Sequence, residues 1–138
     1  MQTKCITAAS GTAKAWGASE TLWLDEQVQV ERIRVRPGGF CSDHLHHHKD
    51  NSFVVYRGTL LVRVLTVEGW IDRSLSQGEN ILIPPLIRHQ LLALSEVVAV
   101  EIYRAAVLGE MIDPDDICRF TCGGQLMDAP VTWSCVVP

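Results

Sequence analysis

The chain has 138 residues, a formal net charge of −4, 47% hydrophobic residues and 20% charged ones. These values suit one globular domain with one core and exclude a disordered segment. No basic run stands out, which argues against nucleic-acid binding, because phosphate neutralisation needs a cationic footprint.

The N-terminal stretch MQTKCITAASGTAKAWG has no apolar run long enough for a signal peptide or a membrane span, so the expectation is a cytoplasmic protein without membrane contact. Residues 1–14 show no period and read as an irregular arm. From Trp16 the texture changes. Leu22 and Leu24, then Val28, Val30, Ile33 and Val35, read as strands, with a phase slip between Val30 and Ile33 that predicts a bulge. Pro37-Gly38-Gly39 breaks the run. Phe53–Tyr56, Leu60–Leu65, Trp70–Asp72, Ile81–Ile83, Gln90–Leu94 and Val97–Tyr103 are further β-rich runs, separated by Gly58-Thr59, Glu68-Gly69 and Pro84-Pro85. About eight short strands without an amphipathic helix predict an all-β sandwich or barrel. Beyond Ala105 the acidic Asp113-Pro114-Asp115-Asp116 reads as a helix start, and Ala129–Trp133 as one more strand or an arm on a neighbouring subunit. Runs apolar on both phases, Phe53–Tyr56 and Val97–Val100, imply covered faces and a homodimer.

Chemistry concentrates between Pro37 and Gly58. His44, His46, His47 and His48 stand within five positions, and the remaining histidine is His89. Residues two apart on a strand share a face, so His44 and His46 can present two imidazoles together and His89 a third. Three neutral imidazoles suit Zn²⁺, Fe²⁺, Ni²⁺ or Cu²⁺. The alternative is a metal-free polar pocket. His47 and His48 read as loop or rim residues. Lys49, Arg88 and Arg119 could each meet a phosphate or carboxylate, or be solvated charges. Glu101, inside the hydrophobic run VVAVEIY, becomes a candidate base if it faces the interior, and Lys49 is the other catalytic candidate. Trp16, Trp23, Phe53 and Tyr56 read as core or interface aromatics, one of which could floor a sugar pocket. The cysteines form no metal-type pair and read as reduced thiols. Cys118 and Cys122 could share a helical face, and Cys41 is the one best placed for a histidine partner.

The spacing around the histidines resembles the two motifs of the cupin superfamily. Gly38 is followed by five residues and then His44, one residue and His46, with Asn51 and Gly58 further on; Gly78 is followed by five residues and Pro84, and then by His89. Trp16-Gly17, ERIRVRPGG, HHHKDNSFVVYRGTL, GENILIPPLIRHQ, VEIYRAAVLGE and DDICRF run in the order of one cupin branch. That branch is the type II mannose-6-phosphate isomerases, which also form the C-terminal domain of mannose-1-phosphate guanylyltransferases. The resemblance implies a jelly-roll or double-stranded β-helix barrel over about 22–105. An N-terminal arm, 1–21, and a short C-terminal helix or tail, 106–138, would flank it in a single domain. It also implies a metal held by residues of both motifs, and metal-dependent sugar-phosphate isomerisation.

The chain departs from that branch at positions expected near the pocket. His44 stands for Gln, Asn51 for the Glu ligand, Lys49 for Arg, Glu31 for a basic residue, Gln90 for Arg and Leu86 for the usual Gly. The expectation is therefore a divalent transition metal (zinc, iron, nickel, manganese or cobalt) on His44, His46 and His89, with Asn51 as a neutral fourth ligand or as a donor to metal-bound water. Loss of the carboxylate favours a more positive, open metal and a small polar or anionic, sugar-phosphate-like ligand. A three-histidine non-haem iron dioxygenase and a non-catalytic ligand-binding cupin are the alternatives, with an active isomerase ranked below.

Overall fold

The structure is a computed structural model, and it describes residues 11–126. Thirteen strands follow in chain order: β1 (Thr12–Lys14), β2 (Gly17–Leu24), β3 (Val28–Val35), β4 (Gly39–Phe40), β5 (His44–Leu45), β6 (Lys49–Arg57), β7 (Leu60–Thr66), β8 (Gly69–Leu75), β9 (Asn80–Ile83), β10 (His89–Ala93), β11 (Val97–Ala105), β12 (Cys118–Arg119) and β13 (Gly124–Gln125). They make two antiparallel sheets, ordered β1-β2-β3-β11-β6-β9 and β12-β5-β10-β4-β13, with β7 joining β10 to β8. This is the expected all-β jelly roll. No helix among the described residues is long and apolar enough to cross a membrane.

The strands form where β-branched and aromatic residues alternate with polar ones. Between the sheets lie Ile33, Val35, Phe53, Val55, Leu60, Val62, Leu75, Ile83, Leu91, Ala93, Val97 and Ala99. Two punctuation marks hold the fold. Gly38 adopts φ +79°, and a Cβ there would sit 2.4 Å from the Leu126 carbonyl oxygen, so only glycine fits that turn. Leu86 adopts φ 67° without that freedom, at the position where the resembling branch has Gly. Its N–H donates to the His46 carbonyl at 2.7 Å, so this strained turn braces the histidine loop.

Several expectations need correction. Part of the supposed irregular arm is ordered: β1 and β2 form an edge hairpin, with Lys14 opposite Gly17. The bulge is not in β3, which pairs with β11 without a break from Val28 to Val35. The register shifts in β2 instead, between Thr21 and Trp23. The apparent slip arises because β3's inward phase changes from Ile33 and Val35 to the polar Glu31, while Val28 and Val30 lie on the outward phase. No helix begins at Asp113. The Asp113 carboxylate accepts from Asp115 N–H at 2.9 Å, closing a local turn, and Cys118 enters β12 rather than a helical face. Residues 129–133 lie outside the described residues.

Candidate metal centre

His44 is on β5, His46 follows it, and His89 opens β10 directly opposite His44 in register. All three are buried. Their ring centroids are 4.5 to 5.4 Å apart, and one ligand atom from each lies within 4.8 Å of the others. The sequence spacing thus brings together the expected trio.

Each ring is held by a main-chain carbonyl. Nδ1–H donates from His44 to the Ser42 oxygen at 2.7 Å, from His46 to the Asp116 oxygen at 2.7 Å and from His89 to the Ile87 oxygen at 2.9 Å. An imidazole whose Nδ1 carries the proton presents a lone pair at Nε2. The three bonds therefore fix tautomer and orientation together, as outer partners of metal-ligating histidines do. Burial, together with neighbouring His89 and His46, lowers the His44 pKa to about 2. Burial lowers that of His46 to about 4, and burial also lowers that of His89. All three are neutral at pH 7, the form that binds metal. This donor set fits a divalent transition metal.

Asn51 stands beside them at 0% exposure. Its Nδ2 is 3.5 Å from His46 Nε2 and 3.4 Å from His89 Nε2, and donates to Glu101 Oε1 at 3.1 Å. Its Oδ1 is buried with no partner. The Glu101 contact sets the amide's orientation, because turning the amide over would place two oxygens against each other. In this arrangement Asn51 offers an N–H to the centre rather than a carbonyl.

The His44 and His46 rings open on a cavity of about 520 Å³. Glu101 faces it, as the sequence reading required of a candidate base. Its carboxylate accepts from the Tyr103 hydroxyl and from Asn51. Burial raises the Glu101 pKa, against the opposing hydrogen bonds. Lys49 also lines the cavity, but its ammonium donates to the Asp113 carbonyl at 2.8 Å and lies 4.4 Å from the Tyr103 ring centroid. Arg119 lines the cavity too, opposite His44 in register. Trp16 and Phe53 contribute aromatic wall, whereas Trp23 and Tyr56 are exposed.

Other candidates are directed elsewhere. Arg88 forks onto the Asp43 carboxylate and stacks 4.1 Å from the Phe120 ring; it is not part of the cavity wall. Gln90 donates to the Cys41 carbonyl at 2.9 Å, also outside it. His47 and His48 are exposed, and their backbone N–H groups donate to the Asp116 carboxylate. Burial pushes the Cys41 thiol up to about 12, which removes it as a nucleophile. The sequence reading missed Tyr103 as a cavity residue; its signal is a position two after Glu101, on the same strand phase.

Comparison with known proteins agrees with this architecture. The oxalate decarboxylase of Bacillus subtilis superposes with a TM-score of 0.69 at 13% identity, covering 80% of this chain and 30% of that one. KdgF from Halomonas sp. gives 0.64 at 15%, covering 72% and 89%. These likenesses establish the cupin fold. Among curated relatives, mannose-1-phosphate guanylyltransferase of Salmonella montevideo is 30% identical over 110 residues, 78% of this chain. The Sinorhizobium fredii protein of the same name is 33% identical over 108 residues, 77% of this chain. The chain spans only 22% and 20% of their lengths. Residues 2–122 match the family described as "Mannose-6-phosphate isomerase C-terminal", and the chain belongs to that family.

Proposed function

We propose that this chain is a single metal-binding cupin domain whose cavity takes a small polar or anionic ligand, in a site diverged from that of sugar-phosphate isomerases. One observation carries the reading. Three buried imidazoles are each held by a carbonyl so that Nε2 faces a common centre. Apart from the shared Asn51 amide, no described donor occupies that centre, and three converging lone pairs without a cation are unfavourable.

His44, His46 and His89 would hold the ion, and Asn51 would donate to whatever ligand atom lies beside it. A bound divalent cation would supply Lewis-acid polarisation of a ligand oxygen. The chain's own groups orient the ligand and exclude water. Tyr103 Oη holds a proton against Glu101 Oε1, at the cavity wall, where it can be shared with a ligand hydroxyl.

Elemental analysis of protein purified without a histidine tag tests the reading. Near-stoichiometric metal is expected, lost in the His44→Ala, His46→Ala double variant; equal traces in both would refute it. A coupled mannose-6-phosphate assay with Zn²⁺, Co²⁺ or Mn²⁺ should give no turnover, because the Glu, Arg and Gln of the resembling branch are Asn51, Lys49 and His44 here. That no carboxylate of the described residues joins the three imidazoles also favours a second reading, a three-histidine iron dioxygenase, which oxygen uptake by the Fe²⁺-loaded chain would reveal. Val54, Val100 and Ile102, half-buried on the outward phase of β6 and β11, support a homodimer, which light scattering would measure.

A further inference from the structure

The cavity is unevenly charged, and the unevenness specifies a ligand. On one wall Glu31 and Glu101 are cross-strand neighbours, and both line the cavity. Glu31 Oε1 accepts from Thr21 Oγ1 at 2.7 Å and from Gln29 Nε2 at 2.8 Å. Glu101 Oε1 accepts from Tyr103 and Asn51. In both carboxylates the hydrogen bonds fall on Oε1. No hydrogen bond from a described residue falls on either Oε2, which leaves each as an acceptor on a side chain that lines the cavity.

On the histidine side stands Arg119, opposite His44 on the neighbouring strand. Directly opposed residues of an antiparallel pair project to the same face. The buried cation, Lys49, is already engaged by the Asp113 and Pro114 carbonyls. Its guanidinium, on an exposed residue, Arg119, has no hydrogen bond or ion pair to a described residue. Lys14 also reaches the cavity, from the exposed edge strand β1.

One guanidinium fork pairs with a carboxylate or a phosphate alike, so the opposite wall decides between them. A second negative charge on the ligand would face Glu31 and Glu101, whereas hydroxyl groups there would meet two open acceptors. We propose that the cavity takes a small hydroxy monocarboxylate, its carboxylate at Arg119 beside the histidine centre and its hydroxyls at Oε2 of Glu31 and Glu101. This rests on the reading of the cavity as a pocket for a small polar or anionic ligand, and names the anion as a carboxylate.

Calorimetric titration of the full chain, loaded with Zn²⁺, tests the assignment with four probes: D-gluconate, hexanoate, D-glucose and inorganic phosphate. Gluconate should bind, and the other three should bind at least about tenfold more weakly, because a site built for hydroxyls rejects analogues that lack them. Arg119→Ala should weaken gluconate at least about tenfold, and Arg119→Lys, which keeps the charge but loses the fork, should recover part of that. Arg57→Ala, at a surface ion pair with Glu96, should change nothing. Thermal melts of each variant separate lost binding from lost folding. Phosphate binding as tightly as gluconate, or unchanged affinity in a folded Arg119→Ala, overturns the proposal. Zn²⁺ uptake without gluconate binding overturns it while sparing the metal reading. Gluconate binding without Zn²⁺ uptake overturns the metal reading and supports the proposal.

Discussion

Along β3 the inward residues run Val35, Ile33, Glu31; along β11, Val97, Ala99, Glu101; along β6, Val55, Phe53, Asn51; along β10, Ala93, Leu91, His89. All twelve are buried. Each strand passes from apolar to polar without a break in phase, so one end of the barrel is a dry core and the other is the histidine cavity. Burial alone does not distinguish the two ends. What distinguishes them is the source of stability. At the apolar end it comes from removing hydrocarbon from water. At the polar end it depends on hydrogen bonds that compensate desolvation, and two acceptors, Asn51 Oδ1 and Gln29 Oε1, are left without a partner. Such an acceptor costs about 1–3 kcal/mol.

Breaking the apolar end should cost most. Phe53, 1% exposed, lies where the two ends meet, 6.5 Å from the His89 ring centroid. Phe53→Ala should lose about 3–5 kcal/mol in urea unfolding, and a loss under 1 kcal/mol would mean the boundary is loosely packed.

Acid should break the polar end next. In metal-free protein the folded-state pKa of His46 lies near 4, below its ordinary 6.5. The unfolded chain therefore takes up the proton first. Stability from this group is complete above pH 6.5 and is lost as pH falls towards 4, by about 3 kcal/mol for His46 alone. Melting temperatures that stay flat from pH 7 to 4 would contradict the buried, neutral ring.

Metal should repair the same end. Zn²⁺ at a hundredfold its dissociation constant should add about 2.7 kcal/mol in chemical denaturation, and nothing in the His44→Ala, His46→Ala variant. The smallest effect is expected at Leu86. Relieving its left-handed backbone with Leu86→Gly should gain about 1 kcal/mol or less, since glycine's greater unfolded-state entropy offsets part of the relief. A clear loss would show that the side chain, 61% exposed, packs more than it strains.

Much of this division was legible in the sequence. The two-residue spacing of His44 and His46, the position of Glu101 inside an apolar run and the Pro-Gly breaks could all be read directly, although β5 ends at Leu45 and His46 stands just past it. What escaped depends on distant partners. Asp116 looked like a helix-start acid, yet its carboxylate accepts from the N–H groups of His47 and His48. Arg88 looked available to a ligand, yet Asp43, 45 positions away, takes its guanidinium. Strands of two residues, such as β5 and β12, are too short to leave any periodicity.

The carbonyl hold on the three rings has an evolutionary side. Backbone oxygens survive every substitution, so no point change at residue 42, 87 or 116 deletes the acceptor that aims its imidazole. Systematic mutagenesis scored by zinc retention would then show sharp intolerance at three positions and a tolerant surround. Drift in the cavity wall could retune what is bound there while the centre itself persists.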